Sequence, residues 1–252
     1  MKARSNRKGR KEKFFVLELM KFNQSLIPGK LIKRYKRFLA DIELENGEII
    51  TAHCPNSGSM KSCQTPGWEV RLSYHDIPSR KYKHTWEMVH NENCWIGINT
   101  GIPNQIVEEA IQNGKIDTLM SYTEIRREVR YGKNSRIDIF LQNDKESCYI
   151  EVKNVTLVEE DDVYYFPDSV TERGRKHLYE LIEMVKEGHR AIMFFLVQRN
   201  DGKLFMPASH IDHRYAESLK EAFAKGVEIL VYRADVNPES IVLADKIPWR
   251  LE

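Results

Sequence analysis

Hydrophobic and polar positions alternate over short segments in the first half of the chain. The segments YKRFLADIEL (35–44) and GEIITAHC (47–54) are separated by the turn signal ENG, and PNSGSM follows them. Short alternating runs bounded by Gly, Pro, Asn and Ser are typical of β-strands joined by turns. We therefore predict a small β-barrel or sandwich over residues 21–100.

The second half mixes helical periodicity with continuous apolar runs. NQIVEEAIQNG repeats its apolar residues at helical spacing, and RAIMFFLVQ has the unbroken apolar character of a strand buried on both faces. Ser169 and Glu172 form a capping-box signal for a helix that Gly188 ends. We predict a mixed α/β domain over residues 101–252. Its predicted elements are a helix at 104–114, strands at 123–131, 135–142 and 148–157, a helix at 168–188, a strand at 190–198, a helix at 213–225 and a strand at 227–232.

Composition and charge add a polyanion-binding signal. The longest uninterrupted apolar run, Ala191–Val197, is far shorter than the ~20 residues of a membrane span. We expect a soluble, cytoplasmic chain without a membrane partner.

The formal net charge is +2, but residues 1–13 alone contain seven Lys/Arg and one Glu, a charge of +6. The extension over residues 1–20 is thus a candidate arm for nucleic acid, or a solubilising or targeting leader.

Two acids and a lysine lie on the neighbouring strands SRIDIFLQ and SCYIEVKNV. A two-residue loop at 144–145 would pair Ile139 with Ile150 and Asp138 with Glu151. In this register apolar partners face apolar partners, which makes the pairing internally consistent. Two carboxylates would then lie opposite each other.

The turn before these strands extends the same row. A three-residue loop at 132–134 would place Glu128 opposite Asp138. The predicted result is a row of three carboxylates, Glu128, Asp138 and Glu151, beside a row of three cations, Arg130, Arg136 and Lys153.

Opposed carboxylates need a physical explanation, because like charges facing each other destabilise a sheet. Such a site must raise one pKa, recruit cations or bind a metal ion. Carboxylate oxygens and water suit Mg²⁺ or Mn²⁺ better than zinc, and Lys153 would then orient a water or stabilise developing charge. The alternative is a solvated sheet face with screened charges.

Further cationic residues are candidates for nucleic-acid contacts. KRYKR and SRKYKHTW interleave cations with aromatic rings, as single-strand or backbone binding requires, and the alternative places these rings in the barrel core. Arg173 and His177 are four residues apart and share a helix face. The loop HCPNSGSM offers polar donors that would hold a phosphate or close onto the second domain; the alternative is a turn held by its own hydrogen bonds. The candidate nucleic-acid-binding residues are Arg34, Lys36, Arg37, Arg80, Lys81, Arg136, Arg173 and His177.

Several of these motifs occur together in a known family. SRID, YIEVKNVTL and FPDSVTERGRKHL, together with RYKRFLADIEL and AHCPNSGSM, resemble the sugar fermentation stimulation protein A family from Phe22 to the C-terminus. The resemblance implies an OB-fold-like domain followed by a PD-(D/E)xK nuclease-like mixed-sheet domain. It also implies sequence-independent DNA binding and a proposed role in regulating sugar (maltose) metabolism.

The nuclease motif transfers onto individual residues of this chain. The resemblance places its aspartate at Asp138, its second acid at Glu151 and its lysine at Lys153, so that the acids hold Mg²⁺ and the lysine serves the attacking water. Ile137 stands where the motif has proline, and the basic extension before Phe22 departs from the family pattern.

Two function classes follow. The first is a sequence-independent DNA-binding protein with a regulatory role left open, and the second is a Mg²⁺-dependent nuclease acting on DNA or RNA. Because a nuclease-like fold alone does not establish nuclease activity, the first hypothesis is placed ahead by a small margin. A scaffold that binds another protein is a weaker third hypothesis. The oligomeric state is left open, a homodimer included.

Overall fold

The computed structural model describes residues 21–132, 135–159 and 162–252. The predicted basic extension, residues 1–20, lies outside the described residues. In the first domain the strands are β1 Ile27–Tyr35, β2 Leu39–Leu44, β3 Ile49–His53, β4 Glu69–Tyr74, β5 His84–His90 and β6 Trp95–Gly97. The second domain comprises α1 Pro103–Gln112, β7 Glu124–Tyr131, β8 Ser135–Gln142, β9 Ser147–Val155, β10 Leu157–Val158, β11 Val163–Phe166, α2 Glu172–Lys186, β12 Arg190–Val197, β13 Leu204–Pro207, α3 His213–Ala224, β14 Glu228–Val236 and β15 Ile241–Lys246.

The first domain is a closed five-stranded barrel of OB type, which confirms the barrel and excludes the sandwich. Its strands follow the order β3-β2-β1-β4-β5, and a β3–β5 pairing between His53 and Thr85 closes the ring. Leu31, Ile42 and Trp86 are fully buried inside it. Trp86 is therefore a core residue, and its indole donates to the carbonyl of Met88 at 3.0 Å.

The second domain is built on a six-stranded mixed sheet. Its order is β15-β14-β12-β9-β8-β7, with β9, β12 and β14 parallel and the outer pairs antiparallel. One face packs on α1 through residues such as Ile106 and Val107, and the other packs on α2 and α3 through Leu178 and Leu219. Because both faces are covered, the polar residues of β8 and β9 lie in the interior of the domain or at its edge.

The predicted register between β8 and β9 is confirmed where the ladder forms. Ile139 pairs with Ile150, and this is the last pair on the side away from the turn. Beyond it the Asp138 carboxylate accepts a hydrogen bond from the backbone N–H of Val152 at 2.7 Å. A side chain thus occupies the place where the Asp138–Glu151 backbone pair was predicted.

The register between β7 and β8 also follows the prediction, with Arg130 opposite Arg136 and Val129 opposite Ile137. At Glu128 itself, however, the backbone has a φ of 54° and the side chain is exposed. A left-handed backbone in a strand interrupts the alternation of its side chains. The predicted row of three carboxylates is therefore wrong at Glu128, which does not line the cavity that contains the other two.

Helix boundaries differ from the sequence prediction at one cap. Thr171, rather than Ser169, is the N-cap of α2, and its hydroxyl accepts from the N–H of Gly174 at 3.0 Å. The buried Asp212 carboxylate accepts from the N–H of Thr171 at 2.8 Å and from the N–H of Tyr215 at 3.0 Å. One carboxylate thus fixes the starts of both α2 and α3.

A buried ion pair joins the two domains. The Arg199 side chain is 2% exposed and makes two bonds of 2.6 Å to the carboxylate of Asp201. The same guanidinium donates to Ser62 of the barrel at 2.9 Å, and Asn91 of the barrel donates to Asp201 at 2.7 Å. The barrel therefore contacts the second domain through a largely buried, charge-assisted network. In the part of the chain that the structure describes, no helix is both long and apolar enough to cross a membrane.

Candidate metal and nucleic-acid site

Three motif residues line one cavity between the domains. Asp138 from β8 and both Glu151 and Lys153 from β9 contribute to a cavity of about 410 Å³. His177, from the second turn of α2, lies on the same wall. A larger cavity of about 1390 Å³, lined by α2 and α3, contains none of these four residues.

The Asp138 carboxylate is held by a hydrogen bond on each oxygen. One oxygen accepts from the backbone N–H of Val152 at 2.7 Å, and the other accepts from the side-chain amide of Asn104 at 2.9 Å. Burial, together with the negative charge of Glu151, raises the pKa of Asp138 from 3.8 to about 6, although Lys153 opposes the rise. Near neutral pH this carboxylate is charged at an energetic cost, which a cation would relieve.

Glu151 uses one oxygen for its own neighbours. Its Oε1 contacts His177 Nδ1 in a short hydrogen bond and accepts from Lys153 Nζ at 2.6 Å. Burial alone would raise the pKa of Glu151, but His177 and Lys153 together hold it below its ordinary value. The other oxygen, Oε2, is buried and has no hydrogen-bond partner among the described residues.

His177 links this carboxylate to an exposed cation. Its Nε2 accepts from Arg173 Nε at 3.3 Å, while its Nδ1 lies against Glu151. This pattern of partners assigns the ring proton to Nδ1. The imidazole of His177 is buried and contacts the Glu151 carboxylate in the interior of the domain, whereas Arg173 reaches solvent at the cavity rim.

A barrel loop forms the opposite wall. Asn56, Ser57 and Gly58 line the cavity, and the Asp168 carboxylate of the second domain accepts from the N–H of Met60 at 3.1 Å. A Cβ on Gly58 would lie 2.3–2.8 Å from that carboxylate, so only glycine permits this approach. The loop predicted either to hold a phosphate or to close onto the second domain makes contact with that domain.

Arg34 is a structural residue. Its guanidinium donates to the carbonyls of Arg37, Asn56 and Gly58 at 2.6, 2.9 and 2.9 Å and reaches Ser59 at 3.4 Å. Its two NH₂ groups are thus engaged within the barrel, and Arg34 fixes the loop that borders the site. Nucleic-acid binding by Arg34 stays a prediction.

The other predicted cations occupy three places. Arg37 and Arg173 lie on the cavity rim, and Lys36 is exposed beside Arg37. Arg80 donates to Thr85 at 2.8 Å and borders a separate cavity of about 610 Å³ in the barrel. Lys81 and Arg136 are exposed and lie outside the lining of the cavity that holds Asp138.

Two site residues were missed from sequence. Asn104, in the first turn of α1, is bonded to Asp138, and Asp168 anchors the barrel loop. Asn56, one of the polar residues of the predicted loop, lines the cavity. Asn104 directly follows Pro103, a residue favoured in the first helical turn, and this signal places it at the helix end nearest the sheet. Nothing in the spacing of Asp168 pointed to a loop more than one hundred positions earlier.

The fold defines a class: an OB-like barrel followed by a nuclease-like mixed-sheet domain. Family comparison gives the particular group, since the SfsA N-terminal OB domain matches residues 32–98 and the sugar fermentation stimulation protein RE domain matches residues 101–240. The chain belongs to the sugar fermentation stimulation protein (SfsA) family.

Relatives and a solved structure agree over most of the chain. The sugar fermentation stimulation protein homolog of Geotalea uraniireducens is 59% identical and covers 90% of this chain and 97% of its own. The homolog of Marinomonas sp. is 52% identical and covers 94% of this chain and 92% of its own. The structure of Pyrococcus furiosus SfsA in complex with Ca²⁺ has a TM-score of 0.82 at 25% identity, covering 93% of this chain and 99% of that one.

Proposed function

We propose that this protein is a divalent-metal-dependent phosphodiesterase that acts on nucleic acid. The observation that carries the proposal is the state of Glu151. Its side chain is 2% exposed, and its Oε2 has no hydrogen-bond partner among the described residues, although it belongs to a cavity that also contains Asp138. An unsatisfied buried carboxylate oxygen is costly unless a ligand completes it.

The donor set fits a hard cation. Asp138 and Glu151 would hold Mg²⁺ or Mn²⁺ through carboxylate oxygens, with water completing the coordination. No group of three His, Cys, Asp or Glu side chains is arranged as a metal site in the described ranges. The Ca²⁺ complex of the Pyrococcus furiosus relative supports an oxygen-ligand site. When bound, the ion lowers the pKa of a coordinated water and polarises a phosphoryl oxygen.

Lys153 and His177 both bind the Glu151 carboxylate, and Lys153 also faces the position of the attacking water or the phosphoryl oxygen. Lys153 donates to Glu151 Oε1 at 2.6 Å and is largely buried beside the cavity. From this position its ammonium holds a water or stabilises negative charge on a phosphoryl oxygen. His177 keeps Glu151 ionised and oriented, because its Nδ1–H is directed at the same oxygen. His177 is thus a positioning residue rather than a phosphate contact.

The rim of the cavity suits a nucleic-acid backbone. Arg37 lies on the barrel side and Arg173 on the α2 side of the carboxylates. Cations that contact phosphates position a substrate without reading its bases, which agrees with sequence-independent binding to DNA. Lys36, Lys81 and Arg136 are proposed to extend this contact over the exposed surface. We propose that residues 21–100 and the rim cations of residues 101–252 share the backbone contact, that the chemistry belongs to residues 101–252, and that the protein is cytoplasmic.

A second candidate function is nucleic-acid binding without turnover. The observation in its favour is that Glu151 Oε1 is already satisfied by Lys153 and His177, so half of the acid pair is neutralised before any cation binds. Such a protein would bind DNA with strong salt dependence and serve a regulatory role, including the sugar-related role that the family name records.

Cleavage assays on matched variants separate the two functions. Purified protein is incubated with labelled single- and double-stranded DNA and RNA in Mg²⁺, Mn²⁺ or EDTA. We expect metal-dependent cleavage that Asp138→Asn abolishes while binding is retained, and that Asp144→Asn, at the exposed turn of the same hairpin, leaves unchanged. Glu128→Gln is also expected to retain cleavage. Cleavage that survives in Asp138→Asn would refute the site, and binding without cleavage by the wild type would select the second function.

A further inference from the structure

The cavity borders restrict the kind of strand that reaches the carboxylates. We infer, on the basis of the proposed phosphodiesterase function, that the substrate is unpaired nucleic acid, either a single strand or a single-stranded end. We further infer that Phe38 stacks on a base next to the phosphate in the cavity. Neither the strand class nor Phe38 follows from the acid–acid–lysine motif.

The barrel wall of the cavity is fixed in place. Asp168 binds the N–H of Met60 at 3.1 Å, and Arg34 binds the carbonyls of Asn56 and Gly58 at 2.9 Å each. Gly58 lies so close to Asp168 that the loop has no room to move toward the second domain. Since the Arg199 network also joins the domains, substrate enters past the loop rather than through an opening of the two domains.

The size of the cavity favours a single strand. It measures about 410 Å³ and is bordered by barrel residues such as Asn56 on one side and by Asn104 and Arg173 on others. Cavities of ~300–1,000 Å³ hold small organic ligands, a size that fits one or two nucleotides. A double helix presents two backbones around a filled stack of base pairs and is too large to enter a cavity of this volume, whereas an unpaired strand can enter it. An unpaired strand places one phosphate at Glu151 while its bases turn outward.

Apolar side chains are exposed directly beside the polar lining. Phe38 follows the lining residue Arg37 and is 52% exposed, and Val170 lies between the lining residues Ser169 and Thr171 and is 69% exposed. A site built for duplex backbone needs cations and hydrogen-bond donors at its rim, whereas unpaired bases offer faces that stack on aromatic rings. A polar cavity with exposed apolar residues next to its lining residues suits a strand whose phosphate lies in the cavity and whose bases lie outside it.

The backbone on either side of Phe38 is fixed next to the lining residue Arg37. Lys36 and Arg37 have φ values of 50° and 67°, a region that side chains other than glycine rarely adopt. Arg34 binds the carbonyl of Arg37 at 2.6 Å, and the N–H of Cys54 binds the carbonyl of Phe38 at 2.8 Å. A strained turn held by hydrogen bonds on both sides, with an exposed ring at its end, is typical of a binding site.

Binding and cleavage are measured separately, so that failure of the inference is distinct from failure of the proposed function. Binding uses the cleavage-deficient Asp138→Asn background with labelled oligonucleotides of one sequence as a single strand, a blunt duplex and a duplex with a single-stranded tail. We expect Phe38→Ala to weaken single-strand binding by roughly 5- to 150-fold, the range for loss of one stacked base. Phe38→Trp should restore it, and Phe223→Ala, which removes an exposed ring on α3, should leave it unchanged.

Cleavage uses the wild type with the same three substrates in Mg²⁺ or Mn²⁺. We expect the single strand and the tail to be cut at least about tenfold faster than the blunt duplex. Equal cleavage of the duplex, or equal binding by Phe38→Ala and the parent protein, would overturn the inference. If no substrate is cut, the phosphodiesterase proposal fails, and the binding series still decides whether Phe38 selects unpaired strands.

Discussion

Replacing Asp138 with asparagine should stabilise the metal-free protein. The pKa of Asp138 is raised from 3.8 to about 6 by burial and by Glu151, so the folded state holds this proton more tightly than the unfolded chain. The free energy of unfolding therefore falls as pH rises from about 4 through about 6, and the full penalty is present at neutral pH. At about 1.4 kcal/mol per pH unit, the penalty is about 3 kcal/mol.

Asparagine at position 138 removes the charge but satisfies fewer of the hydrogen-bond donors around it. It cannot accept hydrogen bonds on both sides from Val152 and Asn104, a loss of about 1 kcal/mol. The net gain is about 1–2 kcal/mol, or about 2–8 °C in Tm for a chain of this size. Thermal unfolding in EDTA measures it between pH 4 and pH 8, and the gain should disappear near pH 4.

Divalent cations should reverse the order of stability. Wild-type protein in Mg²⁺, Mn²⁺ or Ca²⁺ at ~100 times the dissociation constant should gain about 2.7 kcal/mol, and Asp138→Asn should gain little. Glu128→Gln, the control on the neighbouring strand, should behave as wild type under both conditions. A Tm for Asp138→Asn below that of the wild type in EDTA, at neutral pH, would refute the reasoning that this carboxylate is held at a cost.

Three further predictions concern the parts that support the site. Arg34→Lys should lower the free energy of unfolding by about 1–3 kcal/mol in urea denaturation, because an ammonium cannot reach all of the carbonyls that the guanidinium binds. Lys30→Ala, at an exposed position of the same strand, is the control, and equal losses in both would contradict this role. Arg199→Met should cost about 3–5 kcal/mol because it leaves Asp201 charged and poorly compensated, and stability equal to wild type would show that Asn91 suffices. Deleting residues 1–13 should weaken DNA binding and flatten its dependence on salt, since seven cations are removed; an unchanged slope in a salt titration would show that they do not contact phosphates.

Local patterns were enough to predict most of the second domain. Observed strands β7 and β8 nearly coincide with the prediction, and the registers at Ile139–Ile150 and Arg130–Arg136 are as expected. Loop length and alternation determine register in a hairpin, so this information is local. Strands β10, β11, β13 and β15 were missed. The first three are only two to four residues long, and β11 pairs with β13 about forty positions away.

The candidate site was predictable where local spacing marks it, which includes Arg173 and His177 on one helix face as well as the strand residues. Asp138, Glu151 and Lys153 come from adjacent strands, and local spacing places them together. Asn104 and Asp168 act through contacts to segments 34 and 108 positions away, for which the sequence offers no spacing rule. The contacts of Arg34 with the barrel loop were not predictable for the same reason, since an arginine on a β-strand has the same sequence signature whether its donors meet phosphates or a neighbouring loop.

The Arg199 network has a consequence for experiments that divide the molecule. Cutting the chain between its two domains would separate the guanidinium of Arg199 from Ser62 and the carboxylate of Asp201 from Asn91. Each fragment would then expose surface that is buried in the intact chain. The nucleic-acid affinity of a separately expressed barrel would therefore differ from that of the barrel in the intact protein. Intact chains carrying point substitutions are the appropriate material for assigning binding to one half and chemistry to the other.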